Sequence, residues 1–255
     1  MPAKALGLTD DAILGGKLRL LQPQRGHRFG HDAVLLAAAV PAWPGEQAVE
    51  LGAGVGAAGL ALLARVPRLR LSMVEIEPEL AKLAADNISR NGYSEQARAL
   101  ALDVAAPARS FAARALPPGM ADHVFMNPPF HDASRQASPD SLRRTAHRAT
   151  KNTLSIWLRT ATRLLRPAGM LTLIWRSNGL DAILQALSPG YGAVTILPIY
   201  PNAGKPAIRV IIRAVKGSGA PLSILPGFFL NEDGAASASA ERVLRGAEAL
   251  PLPAT

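Results

Sequence analysis

At 255 residues, 49% of them hydrophobic, the chain has room for one large α/β domain and enough apolar material for a substantial core. The absence of cysteine excludes disulfides, thiolate nucleophiles and cysteine-ligated metal centres, and it fits a reducing compartment. The formal net charge of +9 is unevenly placed, which brings polyanions into the range of partners.

In chain order, Met1 to Asp11 hold no apolar stretch of the secretory kind. The longest apolar run, Ala33 to Val40, stops at Pro41, well short of a bilayer's span. A cytoplasmic protein with no membrane partner is expected. Residues 12–23 alternate loosely around Gly15-Gly16 and predict a short hairpin ending at Pro23. Asp32 is placed to cap a helix over 33–39. From Gln47 strands and helices alternate: strand 48–51, a glycine loop, helix 57–65, strand 69–75, helix 79–91 and strand 98–102. Strand 123–126 then runs into Asn127-Pro128-Pro129-Phe130. A long helical pattern covers 141–165, followed by strand 170–175, helix 180–187 and strands 193–199 and 208–215.

This alternation predicts an α/β, Rossmann-like fold, a mostly parallel twisted sheet with helices on both faces. The last two strands have no helix between them and predict an antiparallel pair at one edge. The expected organisation is a hairpin over 1–31 on the substrate side, a catalytic domain over 32–216 and a tail over 217–255 that packs on it or extends it.

In such a sheet, ligands bind where loops leave the carboxyl ends of the central strands. The first of these loops is Glu50-Leu51-Gly52-Ala53-Gly54-Val55-Gly56. Its glycines let the backbone turn sharply and come close to a ligand. The same glycines also suit tight helix–strand packing, and Gly54 to Gly59 fits the dinucleotide pattern. At the next strand end, Glu75 is placed to accept hydrogen bonds from both hydroxyls of a ribose, with Ile76 beside it. NAD enzymes and methyltransferases share that feature. After the third strand, Asp103 and Val104 could meet an adenine, although a turn explains Asp103 equally well.

The tetrapeptide Asn127-Pro128-Pro129-Phe130 separates these readings. Two prolines fix a rigid turn with its carbonyls outward. The Asn127 side-chain oxygen and the Pro128 carbonyl then offer two acceptors about one amino group apart, and Phe130 can stack on a planar substrate. An oxidoreductase has no use for this arrangement.

These motifs resemble those of the class I, S-adenosylmethionine-dependent amino-methyltransferases, in which an Asn-Pro-Pro-aromatic turn holds an adenine, guanine or glutamine nitrogen. More closely, the stretch from about Thr9 to Leu250 resembles the bacterial tRNA(Val) adenine-N6 methyltransferases. The resemblance is carried by Leu14-Gly15-Gly16, Gln22-Pro23, Gly30 through Ala37, Glu50 through Gly56, Glu75 through Glu79, Asn87 and Asn127 through Phe130. The segments Leu164 through Gly169 and Lys205 through Val210 carry it further. It implies that Glu50, Gly52, Gly54, Gly56, Glu75, Ile76, Asp103, Val104 and Asp32 surround S-adenosylmethionine, Asp32 near its methionine end or serving only its helix. Asn127, Pro128, Pro129 and Phe130 would hold the reacting amine of an adenine in the tRNA anticodon loop. Phe130 stands where this family often has Tyr; an rRNA guanine-N2 acceptor stays open because Asn127 through His131 resembles the motif of those enzymes, and a protein-glutamine N5 acceptor because that class shares all four motifs. A nicotinamide-dependent oxidoreductase and a non-catalytic RNA-binding relative rank lower.

Between Arg135 and Arg166, the cations Arg135, Arg143, Arg144, Arg148, Lys151, Arg159, Arg163 and Arg166 face the single acid Asp140. This segment follows the Asn-Pro-Pro turn, so Arg143, Arg144, Arg148 and Lys151 are expected to meet RNA phosphates, with Arg28 of a second basic stretch. A solvated helix face is the plainer alternative. His131 and His147 lack metal-spaced partners, and no metal is expected. The sequence sets no oligomeric state.

Overall fold

The computed structural model of the chain describes residues 7–25, 28–129 and 153–253. Strands β1 (Leu8–Ile13) and β2 (Leu18–Pro23) pair antiparallel around a turn at Leu14–Gly16. There follow α1 (His31–Ala39), β3 (Gln47–Leu51), α2 (Ala57–Arg65), β4 (Arg70–Glu75), α3 (Pro78–Arg90), β5 (Ala97–Ala101), α4 (Ala108–Ala112) and β6 (Ala121–Met126). Helix α5 covers 153–164 and leads into β7 (Leu165–Arg176), α6 (Leu180–Leu187), β8 (Tyr191–Tyr200) and β9 (Arg209–Lys216). The tail adds β10 (Ser223–Ile224), β11 (Phe228–Phe229), a small antiparallel pair β12 (Asn231–Glu232) and β13 (Ala235–Ala236), and α7 (Ala238–Gly246).

The main sheet runs in the order β10-β8-β9-β7-β6-β3-β4-β5, with β11 also on β8. Strands β5, β4, β3, β6 and β7 are parallel, while β9 lies antiparallel between β7 and β8. The predicted mixed sheet is therefore present, with the antiparallel pair toward one end and short tail strands along its outer edge. Chain order reverses between β3 and β6, which opens a crevice at their carboxyl ends. Leu51 pairs with Met126, so Gly52 and Asn127 leave the sheet side by side.

Alternation along the strands divides the core. Val49, Leu51, Val74, Val124, Met126, Leu171 and Leu173 point to the face covered by α4, α5 and α6. Ala48, Met73, Phe125 and Ile174 point to the face covered by α1, α2, α3 and α7. This two-sided burial is why the strands read as nearly continuous apolar runs. Helix α2 is buried almost all round, as its Ala-Leu composition requires. Helix α3 starts on Pro78, whose missing N–H costs nothing there, and stops at Asn91-Gly92, where Gly92 has φ 77.

Three expectations are revised. Gly30, not Asp32, caps α1; Asp32 lies inside the first turn. The helix anticipated over 141–165 ends a residue early because Leu165 opens β7, and its part over 141–152 lies outside the described residues. The tail carries ordered elements that its Ala, Gly and Pro content concealed, and α4 was not anticipated at all.

The tail is fastened to the end of α1. Arg65 donates to Ala37 O (3.0 Å) and to Val40 O, Arg213 to Ala39 O (2.6 Å) and Pro253 O (3.0 Å), and Leu250 N to Ala38 O (2.9 Å). A helix terminus leaves carbonyls without partners, and here the half-buried Arg65, the buried Arg213 and the tail supply donors. Burial, with Arg65 nearby, pulls the Arg213 guanidinium down to about 10. Leu250, 3% exposed, is part of the core. Leu250→Ala should therefore destabilise the protein by about 2–4 kcal/mol in urea unfolding, where a loosely attached tail would give almost no change.

Candidate active site

The crevice is built around the loop after β3. Gly52 N and Ala53 N both donate to Val74 O (2.8 and 3.0 Å), and Gly54 N donates to Glu75 Oε2 (2.7 Å). Glu75 Oε1 accepts from Glu77 N at 3.0 Å. A carboxylate has about four lone-pair directions. Glu75 thus fixes the loop to the end of β4 and keeps acceptor capacity for hydroxyls. Gly52, Gly54 and Gly56 all have positive φ (72, 56 and 86), a path closed to most other residues.

Packing requires glycine at two positions, Gly59 within α2 and Gly52 in the loop. A Cβ on Gly59 would lie 2.4 Å from Met73 Cε and 2.6 Å from Glu50 Oε2, so this residue lets α2 close on the sheet. A Cβ on Gly52 would lie 2.3 Å from Cη2 of Trp157. The indole of Trp157, on α5, rests on the first glycine of the loop. Sequence reasoning missed Trp157 because its helical spacing made it one more apolar residue, and only the pairing with Gly52 marks it.

Glu50 is buried beneath the loop. Burial pushes its carboxyl up to about 8; the Gly59 N–H at the start of α2 opposes this, and the nearby Glu75 adds to it. Glu50 Oε2 has no hydrogen-bond partner among the described residues. On the neighbouring strand end, Asn127 Oδ1 is likewise buried and unpartnered among the described residues, with Pro128 buried and Pro129 exposed. A cationic or amine-bearing ligand would answer both orphan acceptors. Ile76, beside Glu75, is 54% exposed, an apolar surface at the rim of the crevice.

Other predicted site residues are otherwise engaged. Asp103 Oδ1 accepts from Ala105 N (2.8 Å), so the turn role is the one seen; the buried Val104 accepts from Thr160 Oγ1 through its carbonyl (2.8 Å). Asp32 pairs with Arg209 Nε (2.8 Å) at the start of β9. Arg28, expected to face phosphate, is bound to Asp11 Oδ2 (2.9 Å), Thr9 Oγ1 and Pro23 O. Phe130, Arg143, Arg144, Arg148 and Lys151 lie outside the described residues. Of the same basic segment, Arg163 stacks 4.8 Å above the Phe111 ring and Arg166 pairs with Asp122 (2.6 Å), while Arg159 is exposed. Among the described residues no three His, Cys, Asp or Glu side chains converge, and no helix is long and apolar enough to cross a membrane.

Comparison with known proteins places this arrangement. The family described as the methyltransferase small domain matches residues 28–188. A tRNA1(Val) (adenine(37)-N6)-methyltransferase of Yersinia pestis is 26% identical over 194 residues, 75% of either chain. Among solved structures, a "predicted O-methyltransferase" from Agrobacterium tumefaciens superposes with a TM-score of 0.73. It is 28% identical, over 86% of this chain and 98% of its own. TrmN from Thermus thermophilus gives a TM-score of 0.51 at 18% identity, over 73% of this chain and 47% of its own.

Two consequences can be measured. Gly52→Ala should cost on the order of 2 kcal/mol or more in chemical unfolding, and adding Trp157→Ala should recover part of that loss by removing the obstructing ring. Strictly additive losses would show that the ring is not what excludes a side chain. The raised Glu50 carboxyl means that the folded protein keeps a proton which the unfolded chain releases at about 4.5. That stabilisation is complete below 4.5 and fades as pH rises to about 8. Glu50→Gln should flatten the decline of Tm over that interval; an unchanged slope would place its source elsewhere.

Proposed function

The chain belongs to the methyltransferase small domain family of S-adenosylmethionine-dependent methyltransferases, and on that premise we propose that it methylates an exocyclic amino nitrogen, adenine N6 of a tRNA first among the candidates. The single observation behind the choice of acceptor is Asn127. Its buried Oδ1, without a partner among the described residues, stands beside the glycine loop, on a turn whose two prolines lack N–H donors.

The residues present fit the cofactor. The positive-φ glycines leave the backbone of the loop open, the Glu75 carboxylate retains lone pairs for a ribose, and exposed Ile76 offers an apolar wall for a base. Glu50, Gly52, Gly54, Gly56, Glu75 and Ile76 would hold it, with Val104 behind. When bound, S-adenosylmethionine supplies an electrophilic methyl group. The protein's task is then the weak nucleophile. Asn127 Oδ1 and the Pro128 carbonyl accept the two N–H bonds of the amine, favour a more tetrahedral nitrogen and stabilise the positive charge that grows on it. Their fixed spacing aims its lone pair, and orientation supplies much of the acceleration. No base is needed during attack, because the product amine loses its proton afterwards. A hydroxyl acceptor, as in an O-methyltransferase, would need a base to take its proton during attack. Asn127 is an acceptor and not a base, so it suits the amine. Phe130 would stack on the substrate ring, and an unpaired loop adenine reaches the pocket at small unstacking cost.

The RNA assignment draws on the tRNA-modifying relative and on the charge of the segment 135–166. Arg143, Arg144, Arg148 and Lys151 would carry the phosphate contacts, while Arg28 and Arg166 are already paired with carboxylates.

Incubation with labelled cofactor and RNA from cells lacking this protein, followed by digestion to nucleosides, should yield N6-methyladenosine. N2-methylguanosine, or label confined to protein glutamine or to a hydroxyl, would overturn the assignment. Asn127→Ala should lower methyl transfer by about 100-fold or more while S-adenosylhomocysteine affinity stays within a few fold. Wild-type turnover in that variant would sink the proposed role.

A further inference from the structure

Helix α3 treats β2 as a strand would. Asn91 Oδ1 accepts from Arg19 N (3.0 Å) and its Nδ2 donates to Arg19 O (2.8 Å). One turn earlier, Asn87 Oδ1 accepts from Leu21 N (2.8 Å) and its Nδ2 donates to Leu21 O (2.9 Å). The match is geometric. Four residues along a helix rise about 6 Å, and two residues along a strand rise about 6.6 Å, so amides at i and i+4 meet alternate strand residues. The hairpin is thereby held on β2's second edge, its first being paired with β1.

Asn87 does more than Asn91. It is fully buried, and its Nδ2 also donates to Val55 O (3.0 Å), the carbonyl between Gly54 and Gly56 in the loop. A side-chain amide has two N–H bonds. Here one serves the hairpin and the other the glycine loop. From β2 the linkage continues, since Gln22, 1% exposed, accepts Phe29 N (3.2 Å) through Oε1 and donates to Asp11 Oδ2 (2.7 Å) through Nε2. Phe29 immediately precedes Gly30 and the start of α1, where Asp32 meets Arg209.

We infer that Asn87 is a positioning residue that couples the N-terminal hairpin to the cofactor loop, so that cofactor binding and the seating of the hairpin support one another. The inference rests on the reading of Glu50 to Gly56 as the cofactor loop. It assigns the hairpin a part in methyl transfer beyond that of an appendage. Removing the amide leaves Val55 O, Leu21 N and Leu21 O without this partner, and the loop loses a hydrogen bond from outside β4 and α2.

Asn87→Ala and Asn91→Ala form the test, since both loosen the hairpin and only the first touches the loop. In calorimetric titration of the full chain with S-adenosylhomocysteine, Asn87→Ala should weaken binding about tenfold, and Asn91→Ala, which acts through the hairpin alone, should weaken it by about threefold. In turnover, Asn87→Ala should raise the KM for S-adenosylmethionine more than it lowers kcat. Hydrogen exchange on the wild-type protein gives a reading that does not depend on a variant folding: the ligand should slow exchange of the Leu18–Pro23 amides as well as those of the loop. Equal affinities in the two variants, wild-type affinity in Asn91→Ala, or a hairpin indifferent to ligand, would overturn the coupling. A wild-type protein that binds no S-adenosylhomocysteine would instead refute the cofactor-loop reading from which it starts.

Discussion

A loop made of glycines cannot hold its own shape, and the organisation of this protein follows from how that shape is imposed. Three consecutive N–H groups, from Gly52, Ala53 and Gly54, are taken by Val74 O and by the Glu75 carboxylate at the end of the adjacent strand. The freedom that permits positive φ is thus removed by acceptors outside the loop. Parallel pairing of β3 with β4 puts Leu51 opposite Val74, which is what brings those acceptors into place. The sheet register and the ligand loop are one constraint.

The same geometry brings carboxylates into an apolar site. Glu75 spends its charge on backbone N–H groups and has a firm structural reason to be there. Glu50 has much less compensation, since one oxygen is orphaned and desolvation dominates its ionisation. A buried carboxyl without a cation is costly, and sites that bind cationic ligands are where such costs persist. Asn127 Oδ1, unpartnered among the described residues, extends this to the next strand. The crevice is therefore rich in acceptors on both sides of its switch point, a polarity that suits an amine or a cation and disfavours an anion.

Much of this was legible in the sequence because the signals were local. Strand–glycine–helix punctuation, an acid at the following strand end and a doubled proline each express a backbone requirement within a few residues. What escaped was set by contacts distant in sequence. Nothing near Asp32 announces Arg209, and nothing near Arg28 announces Asp11, yet those pairs decide what the side chains do. Trp157 and Gly52 explain one another only once α5 is laid over β3. The tail was opaque because two-residue strands carry no periodicity; β10 and β11 form along the open edge of β8, and β12 and β13 only on each other.

Charge shows the same lesson in its sharpest form. A count of cations suggests a surface prepared for a polyanion, but the count does not distinguish free cations from spent ones. Arg19, Arg28, Arg166, Arg209, Arg242 and Arg245 each face a carboxylate, and the half-buried Arg65 and buried Arg213 serve backbone carbonyls. A paired arginine adds little field at the distance of a phosphate backbone, because its partner cancels it beyond a few ångströms and salt screens the remainder. Much of the excess that gives the chain its +9 accordingly comes from cations outside these ion pairs, among them exposed Arg159 and, in sequence, the run from Arg135 to Lys151 that follows Asn-Pro-Pro. On this argument the body of the fold supplies shape and acceptors, and its paired arginines leave it little field of its own.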